Sequence, residues 1–135
     1  MSTDTLREAF IAYLKGNSTV TALFAARLYP EAIPQKSQSP AAAISRTFVD
    51  RKRDKLGLTG FTESRVTVEV SAERKLEAAR GSDGIESALS SFKGDMNGVN
   101  IKWIKMDDQD DFFDDTVSKY VITSVYIIWH ENEEE

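Results

Sequence analysis

A stretch of two-residue alternation limits the folds that this chain can adopt. Within the segment Phe61–Glu73, every second residue from Val66 to Ala72 is apolar: Val66, Val68, Val70 and Ala72. The residues between them are polar or charged: Arg65, Thr67, Glu69 and Ser71. Because successive side chains of a β-strand point to opposite faces, this segment predicts a strand with one buried and one wet face. The chain is therefore expected to contain a sheet that is covered on one side.

Three further segments resemble strands. Ala41–Val49 and Val99–Met106 are short runs with apolar positions, and Val117–Trp129 is rich in β-branched and aromatic residues. The last segment is apolar on both faces, with Val121, Val125, Ile127 and Trp129 on one and Tyr120, Ile122, Tyr126 and Ile128 on the other. It is either a central strand covered by helices on both faces, or a strand that contributes one face to a subunit interface.

Helical periodicity occurs in three places. The first helix has apolar positions at Leu6, Phe10, Tyr13 and Leu14. A short second helix begins at Asn17 or Ser18, residues that cap helix N-termini well. The third spans Glu73 to Phe92, although Gly81 and Gly84 are expected to loosen or break it.

The order of these segments, ααββαββ, predicts the fold class. We expect an α+β domain in which two N-terminal helices precede ββαββ, forming a mostly antiparallel four-stranded sheet with helices packed on one face. A chain of 135 residues is long enough for one hydrophobic core. Residues 1–130 are expected to form this single domain, and residues 131–135 an acidic flexible tail.

Charge is unevenly distributed along the chain. Residues 106–135 carry one lysine and ten acidic residues, a net charge of −9, whereas residues 1–105 carry +4. Six aspartates fall between Asp107 and Asp115, and a basic run, Arg51-Lys52-Arg53-Asp54-Lys55, falls in the loop expected between the first two strands. Such a chain is electrostatically complementary to a second copy of itself, and this kind of pattern orients association. Each run is equally compatible with an ordinary solvated loop.

The aspartate cluster suggests metal or acid–base chemistry, but the sequence does not support an active site. The cluster lacks the glycine and the ligand spacing of a calcium loop, and paired carboxylates need a pocket that separates their pKa values. His130, the single histidine, has no cysteine or serine partner at a recognisable spacing. We therefore expect a protein that is not an enzyme and uses no metal or cofactor.

Membrane and nucleic-acid partners are also not expected. The apolar runs are far shorter than the roughly 20 residues that cross a bilayer, and the first residues do not have the pattern of a signal peptide. Four clustered cations in an acidic protein would bind phosphates weakly, without sequence specificity.

A set of short segments, taken in order, carries a family resemblance. The segments are Leu6-Arg7-Glu8-Ala9, Arg27-Leu28-Tyr29-Pro30, Pro40, Val66-Thr67-Val68-Glu69-Val70, Ala88-Leu89, the turn before Val99, Asp111-Phe112-Phe113-Asp114, Tyr120 and Trp129. Their order and spacing resemble the tail-completion, or tail-terminator, proteins of the neck of tailed bacteriophages and prophages. The triplet Ala41-Ala42-Ala43 and the glycines at 81 and 84 depart from the family pattern.

The resemblance implies a structural role in virion assembly. Proteins of this kind assemble, typically as a ring of six, on the end of the finished tail tube, stop its polymerisation and present a surface to the head connector or stopper protein. The expected partners are further copies of the chain, the tail tube protein and the head connector. The expected location is the virion neck or tail, and the host cytoplasm during assembly.

We expect the basic loop and the acidic hairpin to make contacts between subunits or between rings. The predicted assembly surface consists of Arg51, Lys52, Arg53, Lys55, Asp107, Asp108, Asp110, Asp111, Phe112, Phe113, Asp114, Asp115, Tyr120 and Tyr126. Two other functions remain open from the sequence. One is a small regulatory or inhibitor module whose acidic edge mimics a polyanion, and the less favoured one is a metal-dependent hydrolase that uses the aspartates.

Overall fold

The computed structural model describes residues 5–34, 38–54, 57–90 and 92–131, with side chains for all of these except residues 5, 48, 50–54 and 57–61. Three helices are present: α1 (Thr5–Lys15), α2 (Ser18–Phe24) and α3 (Lys75–Leu89). The strands are β1 (Leu28–Pro30), β2 (Ala41–Asp54), β3 (Gly57–Ala72), β4 (Gly94–Met96), β5 (Val99–Asp114) and β6 (Lys119–Glu131). None of the described helices combines the length and apolar character that crossing a bilayer requires.

The strands form one six-stranded mixed sheet in the order β1-β2-β3-β6-β5-β4. Strand β1 pairs with β2 in parallel, and the other neighbours pair antiparallel. The prediction of a mostly antiparallel four-stranded sheet is therefore wrong, because the sheet has six strands and is mixed. The two strands that the prediction lacks contain three residues each, too few to show alternation. In the sequence, Pro30 of β1 indicated the end of a helix. Gly94 in β4 and Gly98 after it indicated a turn.

The sheet curls into a half-barrel around the helices. Helix α1 contacts β1 and β2 near one edge of the sheet and β4 and β5 near the other. The concave, inner face supplies the alternating residues Val66, Val68 and Val70, which are buried as predicted. They share one apolar cluster with Phe10 of α1 and with residues of α2, α3 and β6.

The helices begin and pack as local chemistry dictates. In α1, the buried positions include Leu6, Phe10 and Leu14, as the spacing predicted. The side chain of Asn17 accepts hydrogen bonds from the backbone N–H groups of Thr19 and Val20 at 3.0 and 3.1 Å, which confirms the predicted cap of α2. Such a cap satisfies N–H groups that have no partner within the helix.

The expected break in α3 does not occur. The helix continues through Gly81 and Gly84, and both residues are buried. A Cβ atom at Gly81 would lie 2.7 Å from Cζ of Phe24, so the absent side chain is what lets α3 approach α2. Tertiary packing here outweighs the low helix propensity of glycine.

The charged runs lie on strands, contrary to the loops that were predicted. Strand β2 continues through Arg51, Lys52 and Arg53, pairing with β3 as far as Asp54 opposite Gly57. Strand β5 continues through the aspartates to Asp114, which pairs with Lys119. Charged residues are rare within strands, but pairing with a long neighbouring strand holds both segments extended. Lys55 lies outside the described residues.

Candidate functional site

The aspartate-rich segment belongs to β5, and the strand geometry disperses its carboxylates. Asp108 and Asp110 pair with Val125 and Thr123 on the outer face of the sheet, away from the helices, whereas Asp111 pairs with Ile122 on the helix side. Asp115 lies in the exposed turn after the strand. Within the described residues, no group of three or more acidic or histidine side chains is placed to hold a metal ion. The segment is an acidic strand edge and not a compact cluster.

Three of the six aspartates of this segment make local hydrogen bonds, and a fourth forms an ion pair with a neighbouring strand. Asp108, Asp110 and Asp114 each accept a hydrogen bond from a backbone N–H one or two residues further along the chain. Asp107 forms an ion pair with Arg65 of β3 at 3.2 Å, with both side chains 40% exposed. A pair this exposed to solvent contributes little to stability.

Gln109 anchors the acidic strand to the domain. Its side-chain nitrogen donates to the hydroxyls of Ser82 on α3 and Ser124 on β6, each at 3.0 Å. Because this contact points Gln109 toward the helices, its strand neighbours Asp108 and Asp110 point to the outer face. The sequence signal for it was the single glutamine among six aspartates, and it was missed.

Phe112 and Phe113 lie on opposite faces of the same strand. Phe112 pairs with Val121 and is 50% exposed, and Phe113 pairs with Tyr120 and is 45% exposed. The rings of Phe113 and Tyr120 meet edge to face at 4.9 Å. Together with Lys75 and Ile122, these aromatics line a cleft of about 250 Å³ beside the start of α3. These aromatic groups are therefore accessible to a partner.

Tyr126 is not part of any surface. It is 2% exposed and belongs to the core cluster. Burial raises the pKa of its hydroxyl, and the negative charges of Glu86 and Asp83 add to the shift. The hydroxyl has no hydrogen-bond partner within the described part of the chain. The assembly surface predicted from the sequence has to be drawn without this residue.

The outer face of β6 carries an apolar stripe, which we define as Trp103, Val125, Ile127 and Trp129. The described helices pack on the inner face, so the alternative of helices over both faces of β6 does not hold for them. The indole rings of Trp103 and Trp129 stack with centroids 6.3 Å apart and an interplanar angle of 7°. Trp103 is 40% exposed and was missed, because a β-bulge next to it changes the face to which it points. A contiguous apolar patch on a sheet face is typical of association surfaces.

The basic run and the acidic strand lie at opposite ends of the sheet. Arg53 of β2 pairs with Leu58 of β3. Phe113 of β5 pairs with Tyr120 of β6, which in turn pairs with Ala72 of β3. The fourteen residue steps between those two positions on β3 correspond to about 45 Å along the strand. The structure therefore separates the two charged groups within one chain, so any contact between them has to join different copies.

The single histidine has a serine partner that sequence spacing did not reveal. His130 Nε2 lies 2.8 Å from Ser64 Oγ, and Arg46 donates to the same hydroxyl at 2.9 Å. His130 Nδ1 donates to the carbonyl oxygen of Glu131 at 2.7 Å, which leaves Nε2 to accept from the serine. His130 and Ser64 are both 0% exposed, so no substrate reaches the pair. It is a buried polar link between β3 and β6.

Comparisons with known proteins give a family match and a shared fold. The family model described as tail completion protein gp17 matches residues 8–131. A chain of the solved structure titled "Virion of native gene transfer agent (GTA) particle" aligns with a TM-score of 0.73 and 15% identity, over 94% of this chain and 95% of that one. This alignment shows a shared fold.

A second solved structure, "Structure of without transmembrane region from Akkermansia muciniphila", aligns with a TM-score of 0.33 and 10% identity, over 67% of this chain and 46% of that one, and carries no argument. A search of curated proteins finds no match. The resemblance seen in the sequence is confirmed by the family model, and the chain belongs to the tail completion protein gp17 family, a family of structural phage tail proteins.

Proposed function

We propose that this protein caps the finished tail tube, ends its polymerisation and joins the tail to the head connector or stopper protein. The observation that carries the proposal is the family match over residues 8–131, which includes part of α1 and every later element. A chain of the same fold is part of a gene transfer agent virion, which is compatible with a place in a particle. The protein acts without catalysis, in the host cytoplasm during assembly and then in the neck or tail of the virion.

The proposed working form is a ring of copies, six in number as the family resemblance implies. A ring requires two different patches on each subunit that fit each other. The basic hairpin of β2 and β3 and the acidic hairpin of β5 and β6 are opposite in charge and lie at opposite ends of the sheet. They are therefore suited to be the two patches, with charge setting the orientation of neighbouring subunits.

The proposed assembly surface combines the two hairpins with exposed aromatic groups. Its members are Arg51, Lys52, Arg53, Lys55, Asp107, Asp108, Asp110, Asp111, Phe112, Phe113, Asp114, Asp115 and Tyr120, to which we add the stacked Trp103 and Trp129. The aromatic groups supply most of the apolar area, because exposed ion pairs add little affinity. The tail tube protein and the head connector are the proposed occupants of the two ends of the ring.

Loss of the gene, followed by complementation, tests this function. Cells in which the gene is deleted are expected to release abnormally long or headless tails, measured by negative-stain electron microscopy. The variant with Arg51→Glu, Lys52→Glu and Arg53→Glu is expected to fail to restore joined tails at physiological salt. Tails of normal length that are joined to heads in the absence of the protein would refute the capping function.

A matched control separates specific contacts from a general change of charge. Lys15, Arg74 and Arg80 are exposed cations of the helical layer. Replacing all three by Glu changes the net charge by the same amount as the variant of the basic run. This control is expected to restore joined tails. Equal loss of function in both variants would show that the basic run has no special role in assembly.

A further inference from the structure

Two stretches of strand edge have a neighbouring strand on one side only, within the part of the chain that the structure describes. Strand β1 pairs with β2 as far as Ile44, and residues 47–54 of β2 pair with β3 alone. Strand β4 pairs with β5 as far as Ile101, and residues 103–114 of β5 pair with β6 alone. We call these stretches the β2 edge and the β5 edge. An open strand edge is a template for pairing with another strand.

The two edges are opposite in charge. The β2 edge contains three consecutive cations, Arg51 to Arg53, flanked by Asp50 and Asp54, a net charge of +1. The β5 edge contains five aspartates and one lysine, a net charge of −4. Two β5 edges repel each other, and so do two β2 edges at their cationic ends, whereas a β5 edge and a β2 edge attract. This charge pattern selects unlike edges as partners, by the same rule that governs cross-strand pairs.

Strand directions also permit the contact. Three successive antiparallel pairings separate β2 from β5, so the two strands run in opposite directions on opposite sides of the sheet. A second copy in the same orientation therefore places its β2 antiparallel to the β5 of the first. Each copy then keeps one edge for the next neighbour, and the contact repeats head to tail.

A displacement along the strands brings the two edges into full overlap. The β2 edge is level with the part of β3 from Gly57 to Arg65, and the β5 edge with the part from Glu63 to Ala72. Moving the second copy by about eight residues, or about 25 Å, aligns the edges over most of their length. The same movement sets Arg51 opposite Asp111 and Lys52 opposite Asp110, and it carries β1 and β4 clear of the contact. Strands inclined to the axis of a ring accommodate such a stagger, as they do in a barrel.

We propose that the β5 edge of one copy adds as an antiparallel strand to the β2 edge of a second copy, so that the sheet continues from subunit to subunit. This inference rests on the proposed function, because it specifies the contact by which copies form the ring. The partner is a second copy of this chain, and both the charges and the equal strand orientation favour it over another protein.

Disulfide cross-linking tests the contact directly, because the chain contains no cysteine. Cysteine pairs are introduced by combining Asp108→Cys or Asp110→Cys with Asp50→Cys or Lys52→Cys, because the register of β2 places positions 50 and 52 on the same outer face as the two aspartates. Within one chain, β3 and β6 separate the two positions by at least about 14 Å, which is three strand spacings. That exceeds the reach of a disulfide, which needs Cα atoms within about 7 Å, so bonds form only between copies.

The expected result is a ladder of covalent oligomers when assembled particles carrying a double variant are oxidised. The matched control combines Lys52→Cys with Glu69→Cys, because Glu69 is exposed on the same outer face and level with Asp110 but lies two strands further inside the sheet. Neither this control nor any single variant should give a ladder. Absence of a ladder for all four pairs, or an equal ladder for the control, would overturn the proposal.

Hydrogen exchange of the wild-type protein provides an independent test that does not depend on how variants fold. Amides of residues 47–54 and 103–114 are expected to exchange at least about tenfold more slowly in particles than in the free protein. Unchanged exchange in both stretches would refute edge pairing and leave the capping function standing. Normal joined tails after gene deletion would instead remove the capping function, whatever contact joins the copies.

Discussion

The contact between α2 and α3 yields a quantitative prediction at Gly81. A Cβ atom at this position would lie 2.7 Å from Cζ of Phe24 and 3.1 Å from Cγ1 of Val70. Those two side chains are 0% and 1% exposed, so the surrounding core leaves them no room to move. We therefore expect Gly81→Ala to destabilise the protein, although alanine is the better helix former.

The size of the effect follows from two opposing contributions. Overpacking a well-filled core costs about 1–3 kcal/mol, and replacing glycine by alanine inside a helix gains about 1 kcal/mol. Because the added Cβ atom would lie 2.7 Å from a rigid ring, we expect the overpacking cost at Gly81 to fall in the upper part of this range. We expect a net loss of about 1–2 kcal/mol in the free energy of unfolding.

Gly84 in the same helix provides the matched control. A Cβ atom there would lie 2.7 Å from Cδ1 of Leu23, the flexible end of a side chain that is partly exposed. Leu23 can rotate away, so Gly84→Ala is expected to be neutral or to stabilise by up to about 1 kcal/mol. The same chemical change in one helix thus has opposite expected effects, and the difference arises from what each glycine touches.

Urea unfolding of both variants and the wild type measures this difference. The slope of the unfolding free energy with urea should be unchanged, and thermal midpoints should move by roughly 3–5 °C per kcal/mol for a domain of this size. A Gly81→Ala variant as stable as the wild type would show that α3 can shift away from α2. The packing argument would then be wrong.

Four further predictions concern single contacts and metal binding. Tyr126→Phe should be neutral or stabilising, because the buried hydroxyl has no hydrogen-bond partner in the described structure. Tyr13→Phe should instead lower the free energy of unfolding by about 1 kcal/mol, because the Tyr13 hydroxyl donates to the Ala88 carbonyl at 2.7 Å. The raised pKa of Tyr126 keeps its hydroxyl neutral in the folded protein, whereas the tyrosine of the unfolded chain ionises above about pH 10. The free energy of unfolding should therefore fall as the pH rises above 10, and it should fall less in Tyr126→Phe. Identical pH profiles of the two proteins in urea melts would contradict this. Asn17→Ala should lower the free energy of unfolding by about 1 kcal/mol in thermal melts, because the α2 cap is lost, whereas Asn17→Gly should lower it by only a few tenths of a kcal/mol. Equal losses in the two variants would count against a capping role. Calorimetry with Mg²⁺, Mn²⁺ and Ca²⁺ should detect no site tighter than about 1 mM, since the β5 carboxylates are divided between two faces; a saturable site in the micromolar range would reverse this reading.

The elements that could be predicted are those whose local pattern agrees with their place in the fold. The alternation at Val66, Val68 and Val70 identified the inner face of β3, and the spacing of Leu6, Phe10 and Leu14 identified the buried face of α1. Both patterns report directly which side of an element is removed from water. The family resemblance likewise rested on the order and spacing of segments, and the match over residues 8–131 confirmed it.

The elements that were missed are those held by partners distant in the sequence. Strand β1 forms only because β2 lies beside it, and β4 only because β5 does. The charged ends of β2 and β5 resemble loops by composition, yet each is extended because its antiparallel neighbour is long. The glycines of α3 predicted a break, yet the helix runs through them because α2 occupies the space that side chains would need. None of these causes is local.

The structure changes the proposed surface at individual residues. The sequence identified two runs of opposite charge and a strand that is apolar on both faces. Only the structure showed that Tyr126 is buried in the core and that Trp103 stacks on Trp129 at the outer face. A single β-bulge decides the face of Trp103, and a shift of one residue in register is invisible to periodicity.

The sequence by itself determined which residues avoid water, the sign of the charge on each segment and the family to which the chain belongs. These properties depend on residue type and on order along the chain. Only the tertiary structure decided that the sheet has six strands and that the two charged runs lie at opposite ends and on opposite edges of it. Strand order and register arise from pairing between segments that are distant in the sequence, so no local pattern contains them.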